Sequence, residues 1–311
     1  MRRFAFSTLA ALCLVGAAHA QTAEFGPLIE PAELQTMIAG PDAPLVLDTR
    51  GEAYAQGHIA GAISAPYARF RGPADNPGAV VPEDQLQATL REIGVTLDRP
   101  VVIVHQGEDN SDFGSAARVY WTLKSSGVSH LAILNGGMGA WAADGLPLET
   151  KANAPVPSEV SIRFSDRWLA TTDDVSAVVS GAQKARLIDA RPEAFFNGQQ
   201  SHPAASRPGT LPGAESVSHA VWFDDPTRVM GRSEAAEVAA KLGIQPQEEV
   251  VAFCNTGHWA ATEWFALSEL AGLPDVKLYP DSMVGWSQTG GAMDHTPGLM
   301  QNLMNQIRGG N

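Results

Sequence analysis

The stretch VVAFCNTGHWAATEWF, residues 250–265, decides how the chain folds. Its first four residues form a short apolar run that is typical of a buried β-strand, and the residues from 261 onward have the pattern of an α-helix. The loop between them is short and contains Cys254 and Gly257. A strand, a glycine-containing loop and a helix in this order indicate one unit of a parallel α/β sheet, with Cys254 at the carboxyl end of its strand.

This order of elements occurs twice along the 311 residues. A Pro-rich, polar linker at residues 149–166 separates a first half, residues 28–148, from a second half, residues 167–290. Strands are expected at residues 45–48, 101–104 and 131–134 of the first half, and at residues 187–189, 250–253 and 276–279 of the second. Helices are expected at residues 31–38, 83–93, 113–125, 172–179, 233–242 and 260–271. The strands are continuous apolar runs, which predicts two tandem α/β domains, each a parallel sheet with helices on both faces.

Cys254 occupies a position that suits a nucleophile. Backbone N–H groups of the loop and the positive end of the following helix dipole would face its sulfur, and both favour the thiolate over the thiol. In parallel sheets, ligands bind at the carboxyl ends of the strands, where this loop lies. The alternative is a buried, inert thiol.

The first half has His105 at the position that corresponds to Cys254. Three acidic residues follow in the same loop, Glu108, Asp109 and Asp112. Their negative charge would repel an anionic substrate and disfavour a thiolate. The second half is therefore predicted to be catalytic and the first structural. His105 is then a hydrogen-bonded structural histidine or, alternatively, a catalytic base.

The N-terminal residues have the pattern of a secretory signal. They comprise an arginine pair at 2–3, an apolar stretch at 4–15 and an A-x-A cleavage site at 18–20. A signal peptide at residues 1–20 predicts a periplasmic protein that loses Cys13 and keeps Cys254 as its lone cysteine. Exported proteins usually pair their cysteines, so a lone one indicates a reactive thiol that is kept accessible.

Composition and charge narrow the classes of function. The formal net charge of −13 argues against a nucleic-acid partner. No apolar run reaches the roughly 18 residues that a membrane-spanning helix needs, so no membrane span is expected. The histidines and cysteines do not show metal-ligand spacing, and neither a metal nor an organic cofactor is expected. The tail at residues 291–311 is assigned no function.

Three motifs resemble those of one known family. Residues 54–63, YAQGHIAGAI, resemble an aromatic-x-x-x-His-Ile-Pro-Gly-Ala signature with Ala60 in place of proline. Residues 134–141, LNGGMGAW, are similar to a Leu-Asn-Gly-Gly…Trp segment, and residues 254–260 match Cys-x-x-Gly-x-x-Ala. Together with the duplicated order, they make residues 28–290 resemble a tandem-domain rhodanese of the thiosulfate/3-mercaptopyruvate sulfurtransferase group.

The resemblance implies a sulfurtransferase that needs no cofactor. Cys254 would take sulfane sulfur from thiosulfate, 3-mercaptopyruvate or a persulfide, become a persulfide itself, and pass the sulfur to a thiol or cyanide acceptor. Backbone N–H groups of the loop would bind the anionic sulfur. The loop residues assigned to this role are Asn255, Thr256, Gly257, His258, Trp259 and Ala260.

The loop departs from the family pattern in its charge. Members that prefer thiosulfate carry Lys or Arg in this loop, whereas here His258 is the only candidate cation. Arg191, after the first strand of the second half, and Arg207 are candidate anion-binding residues. Arg207 lies in an insertion at residues 199–208, where His202 is a further source of positive charge. The alternatives are that Arg191 holds the local fold through carboxylates and that the insertion is a solvent loop. The weak loop charge puts a small-anion donor in doubt.

The same residues raise two alternatives to a sulfurtransferase enzyme. A periplasmic persulfide carrier would serve a protein partner, such as a sulfur-carrier protein, with little turnover of small molecules. Trp259 bears on this alternative, because at the mouth of the site it would favour an apolar or protein-borne donor, whereas under the helix it would be part of the core. A phosphatase or arsenate reductase would need a longer loop that ends in Arg, and Ala stands there instead.

Overall fold

The structure is a computed structural model that describes residues 25–298. The predicted signal peptide at residues 1–20 and the part of the predicted tail from residue 299 onward lie outside these residues. No helix within residues 25–298 is long and apolar enough to cross a membrane.

The first domain is built on a five-stranded sheet whose strands are all parallel. The strands are β1 (Leu28–Ile29), β2 (Leu45–Asp48), β3 (Ile63–Ser64), β4 (Val101–Val104) and β5 (Leu131–Leu134). Their order across the sheet is β1-β5-β4-β2-β3. The helices are α1 (Pro31–Ile38), α2 (Glu83–Glu92), α3 (Phe113–Ser125) and α4 (Gly137–Ala143), with 3-10 turns at Gly51–Gln56 and Tyr67–Phe70.

The second domain repeats this design with a four-stranded parallel sheet. The strands are β6 (Arg186–Asp189), β7 (Glu215–Ser216), β8 (Val250–Phe253) and β9 (Val276–Leu278). Their order is β7-β6-β8-β9. The helices are α5 (Thr172–Val179), α6 (Glu193–Phe196), α7 (Arg232–Lys241), α8 (Trp259–Phe265) and α9 (Ser282–Gln288), with a 3-10 turn at His219–Trp222.

The predicted fold class, two parallel sheets with helices, is confirmed. Strands β2, β4, β5 and β8 have the predicted bounds, while β6 begins and β9 ends one residue earlier. The helix expected at residues 260–271 is α8 followed by a π-helical turn at Ala266–Leu270. The sequence did not predict β1, β3 and β7, because a two-residue strand carries no periodicity.

Helices α3 and α8 pack against each other and join the two domains. The rings of Phe113 and Tyr120 in α3 lie edge-on to that of Phe265 in α8, with centroid distances of 5.5 Å and 5.1 Å. Nearly every residue of α3 is buried, because one face covers its own sheet and another faces α8. Each of these helices follows the loop at the carboxyl end of its domain's sheet. The packing therefore brings the loop after β4 and the loop after β8 to the same interface.

Candidate active site

Cys254 lies directly after β8, at the interface between the domains, and only 1% of its surface is exposed. Its carbonyl accepts a hydrogen bond from the N–H of Met283 at 3.0 Å, and its own N–H donates to Oγ of Ser282 at 3.0 Å. The N–H of Gly257 donates to the same Oγ at 3.2 Å. The hydroxyl of Ser282 therefore ties the two ends of the cysteine loop together.

Ser282 holds this position at a conformational cost. Its φ of 50° lies in the left-handed region, which is unfavourable for a residue other than glycine. Its Oγ also donates to the carbonyl of Tyr279 at 2.8 Å, so the hydroxyl uses its full hydrogen-bonding capacity. Sequence reasoning did not single out Ser282. Its one signal in the sequence is that it stands where the duplicated segment of the first domain has Gly137.

The other amides of the cysteine loop are free to bind a ligand. Within residues 25–298, no acceptor faces the N–H groups of Asn255, Thr256, His258, Trp259 and Ala260. Free N–H groups on a tight loop that leads into a helix form an anion-binding concavity. Such a concavity can hold the negative charge of a thiolate or a persulfide at Cys254.

A cavity of about 150 Å³ opens beside Cys254. Both domains line it, through Arg71, His202, Cys254, Asn255, Thr256, His258 and Trp259. Arg71 is the lining residue with a permanent positive charge, and it directly follows the Tyr67–Phe70 turn of the first domain. Sequence reasoning missed Arg71, because it lies in a loop without a motif of its own. A larger cleft of about 510 Å³ has no cysteine or histidine in its lining, so cavity size alone would not point to the site.

The first domain holds both ring nitrogens of His258. Its Nε2 lies 2.8 Å from the carbonyl oxygen of Ser111 and so carries the proton, while its Nδ1 accepts from the hydroxyl of Tyr67 at 3.0 Å. Tyr67 accepts in turn from Nη1 of Arg71 at 2.6 Å. Burial and the nearby Arg71 lower the pKa of His258 to about 4. The interpretation of His258 as the loop cation is therefore wrong, because the ring is neutral near pH 7.

Trp259 is half-buried: it lines the cavity and also packs against the hydrophobic core, so each of the two alternatives describes part of its surroundings. Its Nε1 donates to Oγ of Ser111 at 2.7 Å, and its ring stacks on that of His219 at a centroid distance of 5.0 Å. The ring of Phe195 meets it edge-on at 5.8 Å. Since Ser111 belongs to the loop after β4, that loop closes over the cysteine loop. The sequence could not show this closure.

His105 has the bonds of a structural histidine. It is fully buried, and its Nδ1 lies 3.0 Å from Oδ2 of Asp112. Its carbonyl accepts from the N–H of Met138 at 3.0 Å, as the carbonyl of Cys254 does from Met283. His105 is absent from the lining of the cavity, so the alternative of a catalytic base has no support.

Arg191 does not line the cavity, and its charge is already neutralised. The residue is 1% exposed, and its guanidinium donates to the two carboxylate oxygens of Asp189 at 2.8 Å and 2.6 Å. It also donates to the carbonyl of Gly209 at 2.8 Å and to the side-chain oxygen of Asn255 at 3.2 Å. The hypothesis of anion binding by Arg191 is therefore wrong, and the alternative that it holds the local fold describes its contacts.

The insertion contributes a neutral group and no cation. Arg207 donates to the carbonyl of Gly291 and does not line the cavity, so the structure gives no support to its assignment as an anion-binding residue. His202 does line the cavity, and its Nδ1 accepts from the N–H of Ala204 at 3.1 Å. Its ring proton is therefore on Nε2. Burial and the charge of Arg71 lower the pKa of His202 below its usual value of 6.5, so it acts as a neutral hydrogen-bond donor near pH 7.

Comparisons with known proteins agree with this geometry. The model of the rhodanese-like domain matches residues 30–144 and again residues 171–289, so the chain belongs to the rhodanese family. It is 31% identical to the thiosulfate sulfurtransferase of Azotobacter vinelandii, over 83% of this chain and 93% of that protein. It is 28% identical to the 3-mercaptopyruvate sulfurtransferase of Escherichia coli (strain K12), over 86% of this chain and 92% of that protein.

A solved structure shows the same fold at lower identity. EanB, with a cysteine persulfide and ergothioneine, has a TM-score of 0.74 and 19% identity, covering 85% of this chain and 69% of that one. The family and the relatives make the protein a sulfurtransferase. The predicted activity is confirmed, and the alternative of a carrier with little turnover is not favoured.

Proposed function

We propose that the donor is a small sulfur-containing anion, thiosulfate or 3-mercaptopyruvate, and that its charged group binds Arg71. The observation that carries this proposal is the position of Arg71 in the lining of the Cys254 cavity. An arginine fork suits a sulfonate or a carboxylate equally well. The doubt about a small-anion donor arose because the cysteine loop of the second domain has no Lys or Arg. Arg71 of the first domain supplies the positive charge that this loop lacks.

The size of the cavity supports the same class of donor. Its volume of about 150 Å³ is smaller than the roughly 300–1,000 Å³ of pockets that enclose drug-sized ligands. Thiosulfate and 3-mercaptopyruvate have only a few non-hydrogen atoms, whereas a glutathione persulfide would extend far outside. Trp259 is part of the cavity lining, where its bond to Ser111 holds it.

The chemistry with thiosulfate balances without a cofactor. The Cys254 thiolate attacks the outer sulfur of thiosulfate, a new S–S bond forms, and the S–S bond of the donor breaks. Sulfite leaves with the electron pair, and Cys254 holds the outer sulfur as a persulfide anion. Cyanide or a thiolate then attacks that sulfur, which leaves as thiocyanate or a new persulfide and returns the Cys254 thiolate. The free loop amides stabilise the charge on sulfur in each step.

The protein is further proposed to work in the periplasm. The arginine pair, apolar stretch and A-x-A site within residues 1–20 support this location, together with the lone Cys254 that cleavage would leave. The acceptors proposed there are a thiol, cyanide or a periplasmic sulfur-carrier protein. Mass spectrometry of the protein from a periplasmic extract should find Gln21 as the first residue. An uncleaved chain in the cytoplasm would contradict the proposal.

Intact mass measurement tests the sulfur chemistry. Wild type incubated with thiosulfate or 3-mercaptopyruvate should gain about 32 Da, one sulfur atom as a persulfide, and lose it on addition of cyanide. Cys254→Ser should gain nothing. A glutathione persulfide is the comparison donor and should react more slowly, because it does not fit the cavity. A faster reaction with glutathione persulfide than with either small anion would contradict the proposed donor class.

Steady-state kinetics tests the role of Arg71. Arg71→Ala should raise KM for thiosulfate about 10- to 100-fold, since a hydrogen bond to a charged group contributes about 1.5–3 kcal/mol. Its effect on kcat should be smaller. Arg69→Ala is the matched control, because Arg69 is two residues away but pairs with the exposed Glu92 at 2.6 Å. Equal KM values in the two variants would show that the donor binds elsewhere.

A further inference from the structure

Arg118 is a buried arginine that links the first domain to the cysteine loop. It lies on α3, and 1% of it is exposed. Its Nη2 donates to the carbonyl of Gly78 at 2.8 Å, and its Nη1 lies 3.4 Å from the carbonyl oxygen of Gly257. The guanidinium also stacks over the ring of Trp121 at 5.1 Å. Its contacts are therefore two carbonyl groups and an indole.

Within residues 25–298, Arg118 makes no ion pair, and its buried Nε has no hydrogen-bond acceptor. The other arginines in comparable surroundings are paired, Arg50 with Asp48 and Arg191 with Asp189. A buried charge without a partner is strongly unfavourable in a protein. Burial lowers the pKa of Arg118 to about 10, which still leaves it charged near pH 7. A negative group that is present during function would remove this imbalance.

Cys254 stands three residues before Gly257 in the loop that Arg118 contacts, and a charge on its sulfur would act on Arg118. Tyr67, which burial keeps protonated, and the carboxylate of Asp281 also act on Arg118, while the like charge of Arg71 acts in the opposite direction. The loop approaches Arg118 so closely that a Cβ at Gly257 would lie 2.4 Å from its Nη1. Residue 257 therefore has two reasons to be glycine. Its φ of 66° is unfavourable for other residues, and a side chain would collide with Arg118.

We propose that Arg118 is the counterion of the sulfur anion at Cys254 and a positioning residue for it. The proposal rests on the sulfur-transfer cycle described above, in which Cys254 carries one negative charge as the thiolate and again one as the persulfide. A single fixed cation matches both states. Arg71, in the cavity, faces the donor instead. The domain without a cysteine thus supplies one charge for the resident sulfur and another for the incoming anion.

Two variants with a control test this assignment. Arg118→Met removes the charge and keeps an apolar chain of similar length, and Arg118→Lys keeps the charge. Arg91→Met is the control, because Arg91 also donates to a backbone carbonyl, that of Val160 at 2.7 Å, but within residues 25–298 it has no hydrogen bond to the cysteine loop. The readouts are the iodoacetamide alkylation rate of Cys254 against pH, the single-turnover rate of persulfide formation at saturating thiosulfate, and Tm.

In Arg118→Met, iodoacetamide should alkylate Cys254 at least about tenfold more slowly than in wild type at pH 7. Persulfide formation should be slower by a similar factor. The pH of half-maximal alkylation should rise, because loss of a cation disfavours the sulfur anion. Tm should stay equal or rise, since an unpaired buried charge is gone. Arg118→Lys should recover most of the rate, and Arg91→Met should match wild type. The other charged or titratable groups near the sulfur stay in place in every variant: Tyr67, Arg71, His202, His258 and Asp281.

An alkylation rate of Cys254 in Arg118→Met equal to that in wild type would overturn the proposal. So would a low Tm in Arg118→Met with no recovery of rate in Arg118→Lys, which would define a structural role. Arg118→Gln replaces Arg118→Met in the same measurements if the latter does not fold. The proposed sulfur-transfer function is tested by a different result, because it would be contradicted by the absence of a sulfur adduct in wild type. The alkylation rates would still report on Arg118 in that case.

Discussion

The loops after β4 and β8 share a scaffold but differ in what occupies their amides. Their first carbonyls, on His105 and Cys254, are bonded in the same way at 3.0 Å. In the first domain, the carboxylate of Asp112 accepts from the N–H of Gly107 at 2.5 Å and contacts His105. In the second domain, five amides of the cysteine loop, those of residues 255, 256 and 258–260, have no acceptor among the described residues. The duplicated backbone builds an anion site twice, and the first copy is filled by its own carboxylate.

A second pair shows how far the scaffold is conserved within the molecule. Arg50 donates to Gln106 at 3.2 Å and to the carbonyl of Gly57 at 2.6 Å. Arg191 makes the equivalent bonds to Asn255 and Gly209. The same arginine contacts occur in the domain that has no cysteine. We therefore infer that these arginines hold the loop and do not bind substrate.

The largest expected effect comes from moving the thiol between the two loops. Cys254→Ser should abolish persulfide formation. Adding His105→Cys to that variant should not restore it, because the carboxylate of Asp112 takes the N–H of Gly107 and repels an anion. Intact mass after incubation with thiosulfate measures both results. A sulfur adduct on the double variant would show that the two loops are chemically equivalent after all.

Loss of either scaffold arginine should destabilise the protein by about 3–5 kcal/mol, the usual cost of leaving one partner of a buried ion pair alone. Arg50→Leu and Arg191→Leu should therefore have similar effects in urea unfolding, since both pair with a buried aspartate. If Arg191 bound the donor instead, Arg191→Leu would raise KM without a comparable loss of stability.

Acid should weaken the contact between the two loops through His258. Its folded-state pKa of about 4 lies below the usual value of 6.5, so the unfolded chain takes up the proton first as pH falls. The contribution of the neutral His258 ring to the free energy of unfolding is complete above about pH 6.5. It decreases between about pH 6.5 and 4, by up to about 3 kcal/mol. The difference in unfolding free energy between wild type and His258→Gln should change with pH by this amount. A constant difference would contradict the neutral, buried ring.

The smallest expected effect concerns the pair Gly137 and Ser282. Ser282→Gly should destabilise the protein by about 1–2 kcal/mol, because two buried N–H groups lose their acceptor while backbone strain is relieved. Ser282→Ala should cost about 1 kcal/mol more, since it keeps the strain. His295→Gly is the control, as the exposed His295 has a similar φ of 57°. It should be close to neutral, because relief of the same strain is offset by loss of the His295 contacts with the carbonyl and ring of Phe196. Urea unfolding measures all three variants.

Some features of the site follow from local sequence and others do not. The position of Cys254 after a strand and before a helix follows from apolar patterning, which is a local property. The charge of His258 and the place of Trp259 depend on Ser111, which lies 147 and 148 residues away in the chain. Sequence spacing carries no information about such contacts, and the interpretation of His258 as a cation was wrong for that reason.

The duplicated α/β fold, and a cysteine at the carboxyl end of β8, could be read from the chain, because hydrophobic periodicity, glycine placement and motif order are local properties. Which charges lie near that thiol follows from the packing of the two domains. The packing of α3 on α8 places Arg118 behind the cysteine loop and the Tyr67–Arg71 pair at its cavity. Electrostatic interactions depend on distance in space and burial, and neither quantity exists until the two domains meet.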